Sequence, residues 1–368
     1  MVANRLKELA GEKCQVTVVD RESNFSFGAS WLHLMTGEKR LNEIVAGRER
    51  LKEKEIKFLK AEVSAIDCEK SKVQTSEGDL TYEYLIVALG AKLAPERIKG
   101  LPEAEYYHMY LPQEALRLQK ALASFSGGKI ALVIGSTPFK CPAAPYEAAM
   151  LIEWFLKKKE LRGKSEIEVY TPEPFPLPVA GPEVGDKVIE ILKEKQINYN
   201  SQMQVEEVKG DSKQVLFSNG QKADYDLLVL IPPHLCPEVV SRSGLTDESG
   251  WIPVNGKTLE TRFQNVFALG DVASIKLPVG KPLPKAASFA LGQAEVVAFN
   301  LAAQLLGVST KVWEGNGECY LEMGGNQAAY GVGNFYARPG PVVNFQKPSE
   351  AYSRLKELWI QYWRSRLL

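Results

Sequence analysis

Tyr84-Leu85-Ile86-Val87-Ala88-Leu89-Gly90 is an unbroken apolar run closed by glycine. A strand with one face in water alternates apolar and polar residues. An unbroken run instead marks a parallel strand buried on both faces. Lys129-Ile130-Ala131-Leu132-Val133-Ile134, Leu227-Leu228-Val229-Leu230-Ile231 and Val266-Phe267-Ala268-Leu269-Gly270-Asp271 also read as strands. Two shorter ones are Val16-Thr17-Val18-Val19, closed by Asp20, and Ile167-Glu168-Val169-Tyr170. Helical stretches separate them: Val2 to Leu9, ended by Gly11, then about 144–159 and about 286–306. Charged residues from about Leu41 to Leu59 read as helix, and alternation from Val63 to Val73 as small antiparallel strands. Strands alternating with helices require a sheet covered on both faces.

The pattern occurs twice, and the first unit resumes at Val266 after the second has ended. The expected fold class is therefore α/β, with two Rossmann-like dinucleotide-binding domains in tandem, one inserted in the other, and a small C-terminal α+β module. The expected boundaries are 1–100 with 251–310, then 101–250, then 311–368. A βαβ unit of this kind opens with a strand and a Gly-rich turn, which would lie before Val2. The chain start is thus expected to be incomplete, as in a truncated or mis-started gene product.

Composition excludes several classes. The 368 residues include 45 Lys+Arg and 45 Asp+Glu, so there is no basic excess for nucleic acid. The five cysteines, Cys14, Cys68, Cys141, Cys236 and Cys319, are scattered, without a CxxC or Cys/His cluster, so no metal site is expected. No apolar run is expected to reach the length of a membrane span, and no secretory leader is seen.

Several residues carry chemistry by position. Asp20 ends a second strand, where an acid binds ribose hydroxyls in dinucleotide folds; otherwise it is a solvated strand-end acid. After Val266–Leu269, Gly270 lets a ligand approach the backbone and Asp271 accepts a hydroxyl hydrogen bond. Leu283-Pro284-Lys285-Ala286 opens a helix with donors and positive charge, suited to the anionic side of a reduced flavin; the plain alternative is a surface lysine. The turn Gly135-Ser136-Thr137-Pro138-Phe139-Lys140-Cys141 has no glycine fingerprint, and Pro138 and Phe139 would obstruct a pyrophosphate. No NAD(P)H site is expected there. Cys141 precedes a helix and follows Lys140, both of which favour thiolate; the alternative is an inert packing cysteine. His33, His108 and His234 are isolated and read as structural or exposed.

The segment Leu85 to Ala91, containing Ala88 and Gly90, resembles the "ATG" segment of two-dinucleotide-domain flavoproteins, and Val266 to Asp271 resembles their second FAD motif. Order and spacing together resemble the pyridine nucleotide-disulfide reductase superfamily. Lys140-Cys141-Pro142-Ala143-Ala144-Pro145-Tyr146-Glu147 is similar to the active-site segment of sulfide:quinone reductases and of the flavoprotein subunit of flavocytochrome c sulfide dehydrogenase. The resemblance implies FAD as cofactor, held by Asp20, Ala88, Gly90, Gly270, Asp271, Pro284 and Lys285. It implies Cys141 and Cys319 as the redox pair, the latter within Gly317-Glu318-Cys319-Tyr320. Glu147 matches the acid six residues after the family cysteine and would serve as general base; its alternative is a surface glutamate.

The implied partners are sulfide or another small sulfur nucleophile, and a quinone or other acceptor. The implied location is cytoplasmic, peripheral on a membrane. The last helix carries a stripe of Tyr352, Leu355, Leu358, Trp359, Tyr362 and Trp363 with basic neighbours, suited to a membrane interface or to packing on its own protein or a dimer partner. The rival readings are a type II NADH:quinone reductase-like enzyme and a non-catalytic flavoprotein homologue.

Overall fold

A computed structural model describes residues 1–367. Helix α1 (Val2–Ala10) leads into strand β1 (Thr17–Asp20), the short helix α2 (Trp31–Thr36) and strand β2 (Lys57–Lys60). β1 and β2 pair in parallel, Thr17 opposite Lys57. Most of the stretch expected as helix from 41 to 59 is not α-helical. Only Leu41–Ile44 is an α-turn; Val45–Gly47 pairs with Asn24–Ser26, and Arg48–Lys54 is a 3₁₀ turn. Its charges solvate a connector, and strand pairing overrides the helical propensity of its residues. The alternating region forms an antiparallel meander of Val63–Asp67, Lys72–Thr75 and Gly78–Thr81.

Strand β3 (Leu85–Val87) precedes the second unit, built from β4 (Gly128–Ile134), helix α3 (Ala144–Lys158), β5 (Ser165–Tyr170), β6 (Ile197–Asn200) and β7 (Leu227–Ile231). These four strands form one parallel sheet in the order β6-β5-β4-β7. The unbroken apolar run of β4 serves two cores. Ile130, Leu132 and Ile134 pack with Ala148, Ile152 and Leu156 of α3. Ala131 and Val133 pack on the other face with Val205, Val208, Val215 and Phe217. Full burial of one such large side chain contributes about 1.5–3 kcal/mol.

The chain then returns to the first unit. Strand β8 (Val266–Ala268) pairs in parallel with β3, Val266 opposite Leu85. The pairs β1–β2 and β3–β8 flank a single groove of about 2710 Å³. Helix α4 (Ala287–Leu306) packs Val297 and Leu301 against Leu6 and Ala10 of α1. α4 is long and apolar enough to cross a membrane, contrary to the expectation from sequence, but most of its apolar stretch is buried in the protein. It qualifies because a helix at the centre of a large core needs few charges.

The C-terminal module is an antiparallel sheet of β9 (Asn316–Glu322), β10 (Ala328–Asn334) and β11 (Val342–Ser349), covered by helix α5 (Glu350–Leu367). The aromatic stripe of α5 divides. Trp359 stacks toward Phe27 at 5.4 Å and Ile360 is buried, while Leu355, Leu358 and Tyr362 are exposed.

Candidate active site

The turn after β4 delivers Cys141 into the interior. Gly135 is needed for close approach: a Cβ there would lie 2.7 Å from the Ile231 carbonyl oxygen. Phe139 fills the turn and is buried in the main core. Cys141 adopts a left-handed φ of 50°. Its N–H donates to the Lys285 carbonyl at 2.6 Å, and its own carbonyl accepts from Ala144 N–H at 2.9 Å as α3 begins. A non-glycine residue held at positive φ is stored strain, which marks a constrained site.

The Cys141 thiol is not acidified, as the sequence had led us to expect. Burial, and then the Glu147 carboxylate, push it up to about 12; Lys356 and the Ala144 N–H oppose them. The desolvation cost outweighs what the helix terminus supplies. The Lys140 ammonium lies over the rings of Trp31 and Tyr110, at 5.6 and 5.9 Å from their centroids.

Cys319 sits on β9 and is solvent-exposed. The surrounding protein, followed by Glu147 and Cys141, raises its thiol well above the ordinary value, with Lys356 opposing. Each thiol therefore lies within the field of Glu147 and of Lys356, and Cys319 within that of Cys141. Both are free thiols. A main-chain tie holds their elements together: Glu322 N–H, at the end of β9, donates to Glu147 Oε1 on α3 at 2.9 Å.

Glu147 is no surface residue; it is 3% exposed. Its Oε1 also takes the Lys356 ammonium of α5 at 2.5 Å. Lys356 reaches Glu322 Oε2 at 2.9 Å, and Glu322 Oε2 meets His33 Nε2 at 3.2 Å. His33 Nδ1 meets Glu38 at 3.1 Å. The imidazole expected to be isolated is thus a link in an ionic chain, between Glu322 and Glu38. Burial pulls His33 down, but hydrogen bonds to Glu322 and Glu38 outweigh it and raise its pKa to about 9.

Because the folded value lies above the unfolded one, near 6.5, the stabilisation is complete below pH 6.5 and is lost as pH rises through about 9. It amounts to on the order of 3 kcal/mol. Urea unfolding at pH 6.5 and 9.5 should show a larger loss for the parent protein than for His33→Gln. Parallel losses would show that His33 does not carry this dependence.

Lys356, Glu322 and His33 are not singled out by the sequence. The available signal is that Lys356 lies midway between Tyr352 and Ile360 at i,i+4 spacing, on the inward face of its helix.

The groove beside β1 and β3 holds part of the expected cofactor set. Asp20, Ala88 and Gly90 line it, together with Lys140, Leu269 and Leu291. Asp20 is held by Arg48 at 2.5 Å. Gly90 has φ 68° and open space where a side chain would be. Gly270 has φ 71°, and its N–H donates to Gln293 at 2.8 Å. The Lys285 ammonium donates to the Asp271 carbonyl at 2.6 Å and lies 3.5 Å from the Trp251 ring centroid. Burial lowers Lys285 to about 8, against the pull of Asp271. Gly270, Pro284 and Lys285 border a separate cavity of about 10 Å³. The groove also takes the N-terminus of α1, with Met1, Val2 and Ala3 on its wall. Free backbone N–H groups there suit an anion. The volume of the groove, its open glycine and these donors fit an FAD.

This fold and site define an FAD-dependent oxidoreductase: the family model of pyridine nucleotide-disulphide oxidoreductases matches residues 2–294, and the chain belongs to that family. It is 26% identical over 362 residues to the mitochondrial sulfide:quinone oxidoreductase of Mus musculus, covering 95% of this chain and 78% of the relative. The solved sulfide:quinone oxidoreductase of Aquifex aeolicus superimposes with a TM-score of 0.88 at 22% identity, over 99% of this chain and 88% of that one. Type II NADH:quinone oxidoreductase of Staphylococcus aureus is 23% identical over 336 residues, 84% of this chain and 80% of the relative.

Proposed function

We propose that the protein oxidises sulfide with a Cys141–Cys319 redox pair and passes the electrons by way of FAD to a quinone. The observation that supports this reading is the tie between the helix that Cys141 precedes and the strand that carries Cys319: Glu147 Oε1, six residues after Cys141, accepts from Glu322 N–H, three residues after Cys319, at 2.9 Å.

With the pair oxidised, hydrogen sulfide gives up one proton to Glu147, and the hydrosulfide so formed attacks one sulfur of the disulfide. The S–S bond breaks, one cysteine becomes a persulfide, and the other leaves as thiolate. Charge and electrons balance, and both electrons from sulfide now reside on the pair. Bound FAD supplies the two-electron acceptor through which they leave. Glu147 accepts the proton of the incoming sulfide. Oε1 is occupied by Lys356 and Glu322 N–H, which leaves Oε2 for this role. Lys285, fixed by the Asp271 carbonyl, supplies positive charge on the flavin side.

The region 1–100 with 251–310 forms the FAD-binding domain in this reading, supported by the pairing of β3 with β8. The region 101–250 is the second Rossmann-like domain and 311–368 the C-terminal module. The exposed Leu355, Leu358 and Tyr362 of α5, with Arg354 and Arg364 on the same helix, support peripheral membrane contact where a quinone would arrive.

The similarity to an NADH:quinone oxidoreductase favours a second reading, but the second unit argues against it. Phe139 fills its first turn. Glu173, just beyond β5 where a ribose-binding acid would stand, is buried and bonded by the Tyr146 hydroxyl at 2.6 Å. Anaerobic titration of the flavin-loaded protein decides between them. Sulfide is expected to bleach the flavin absorbance and NADH to leave it. Bleaching by NADH alone would overturn the proposal.

A further inference from the structure

Lys356 is the least expected group near the cysteines. A lysine is almost never fully buried unless paired, and this one is 5% exposed. It bridges Glu147 on α3 and Glu322 on β9, the elements that follow Cys141 and carry Cys319. The helix that brings it is docked independently. Trp359 donates to Glu318, beside Cys319, at 2.7 Å, and Ile360 is buried.

We propose that Lys356 is a positioning residue that neutralises Glu147 beside the cysteine pair, so that the C-terminal helix sets how readily Cys141 and Cys319 ionise. The consequence for sulfide oxidation rests on the function proposed above; the effect on the thiols does not.

The charges around the pair can be followed element by element. α3 contributes Glu147, β9 contributes Glu318 and Glu322, α2 contributes His33, and α5 contributes Lys356. Asp271 approaches from the turn after β8, and it faces Lys140 and Lys285. Tyr110 donates its hydroxyl to the Cys141 carbonyl. Glu147 acts against ionisation at both thiols, and Lys356 acts for it at both. His33 is already engaged by Glu322 and Glu38, which leaves Lys356 as the cation paired with Glu147. The chain does not serve as a proton wire, because two carboxylates hold the Lys356 proton firmly and raise its pKa against the pull of burial.

The test is alkylation of the reduced full-length protein by iodoacetamide across pH 7–10, quantified at Cys141 and Cys319 by peptide mass spectrometry. The thiolate is the reacting form, and lowering a thiol's pKa by one raises the thiolate population about tenfold. Glu147→Gln should speed alkylation at both sites. Lys356→Met should slow it, and Lys356→Arg should remain near the parent. A Glu147 stripped of its partner can take up a proton and hide the loss. The deciding comparison is therefore Glu147→Gln against Glu147→Gln/Lys356→Met. The double variant should react several-fold to tenfold more slowly than the single.

The double variant removes both members of the Lys356–Glu147 pair and leaves Glu322 with His33, so it is the form best able to fold without Lys356. Equal rates in the two would overturn the proposal. So would a faster double variant, which would mean that Lys356 only anchors α5 and that its loss opens the site. Sulfide plays no part in this readout. A protein that alkylates as expected but is not reduced by sulfide would sink the proposed function and leave this inference standing.

Discussion

Serine in place of Cys141 or of Cys319 is expected to slow sulfide-dependent flavin reduction by on the order of 10³-fold or more. A hydroxyl cannot form the bond that sulfide must break, and the remaining sulfur has no partner to leave from. Residues that act as a unit fail as a unit, so each single variant and the double should be equally impaired. Their flavin absorbance should be intact, since Asp20, Ala88 and Gly90, the expected FAD residues on the groove wall, are untouched. Anaerobic stopped-flow reduction by sulfide measures the rate. Cys68→Ser is the control: Cys68 follows the strand Val63–Asp67 and does not line the groove. Near-parental reduction in either Cys141→Ser or Cys319→Ser would show that the two sulfurs do not form one redox unit.

The frame of the fold was legible because it is written in periodicity. Unbroken apolar runs such as 130–134 can be satisfied only by a strand with a core on each face, and that is where the side chains of β4 go. The segment 41–59 misled because its charges look like a solvated helix, whereas pairing of Val45–Gly47 with a distant strand decides its conformation. No local signal carries that information.

The site was legible as motifs but not as electrostatics. Gly90, Gly270, Cys141 and Cys319 were named from the resemblance of their segments to family motifs. Thiol acidity was not legible, because sequence shows the helix terminus and Lys140 near Cys141 but conceals the desolvation that outweighs them. The ionic chain from Glu147 to His33 was invisible for a related reason. Its members come from α2, α3, β9 and α5, and only tertiary structure makes them neighbours.

Glu147→Gln should lower the rate of sulfide-dependent flavin reduction by about 10²–10⁴-fold, the usual worth of a general base. The defect should shrink as pH rises, because sulfide that arrives already deprotonated no longer needs the carboxylate. The same substitution is expected to speed alkylation of the cysteines, since a negative charge beside them has gone. A variant that is slower with sulfide yet faster with an alkylating reagent separates two roles of one carboxylate. Proton acceptance explains the first effect, and the field at the thiols explains the second. If Glu147 merely held α3 against β9 through Glu322 N–H, its loss would impair sulfide oxidation equally at every pH. A pH-independent defect, measured from pH 6 to 9 with flavin content unchanged, would therefore remove Glu147 from the proton-transfer step and leave it as a structural tie.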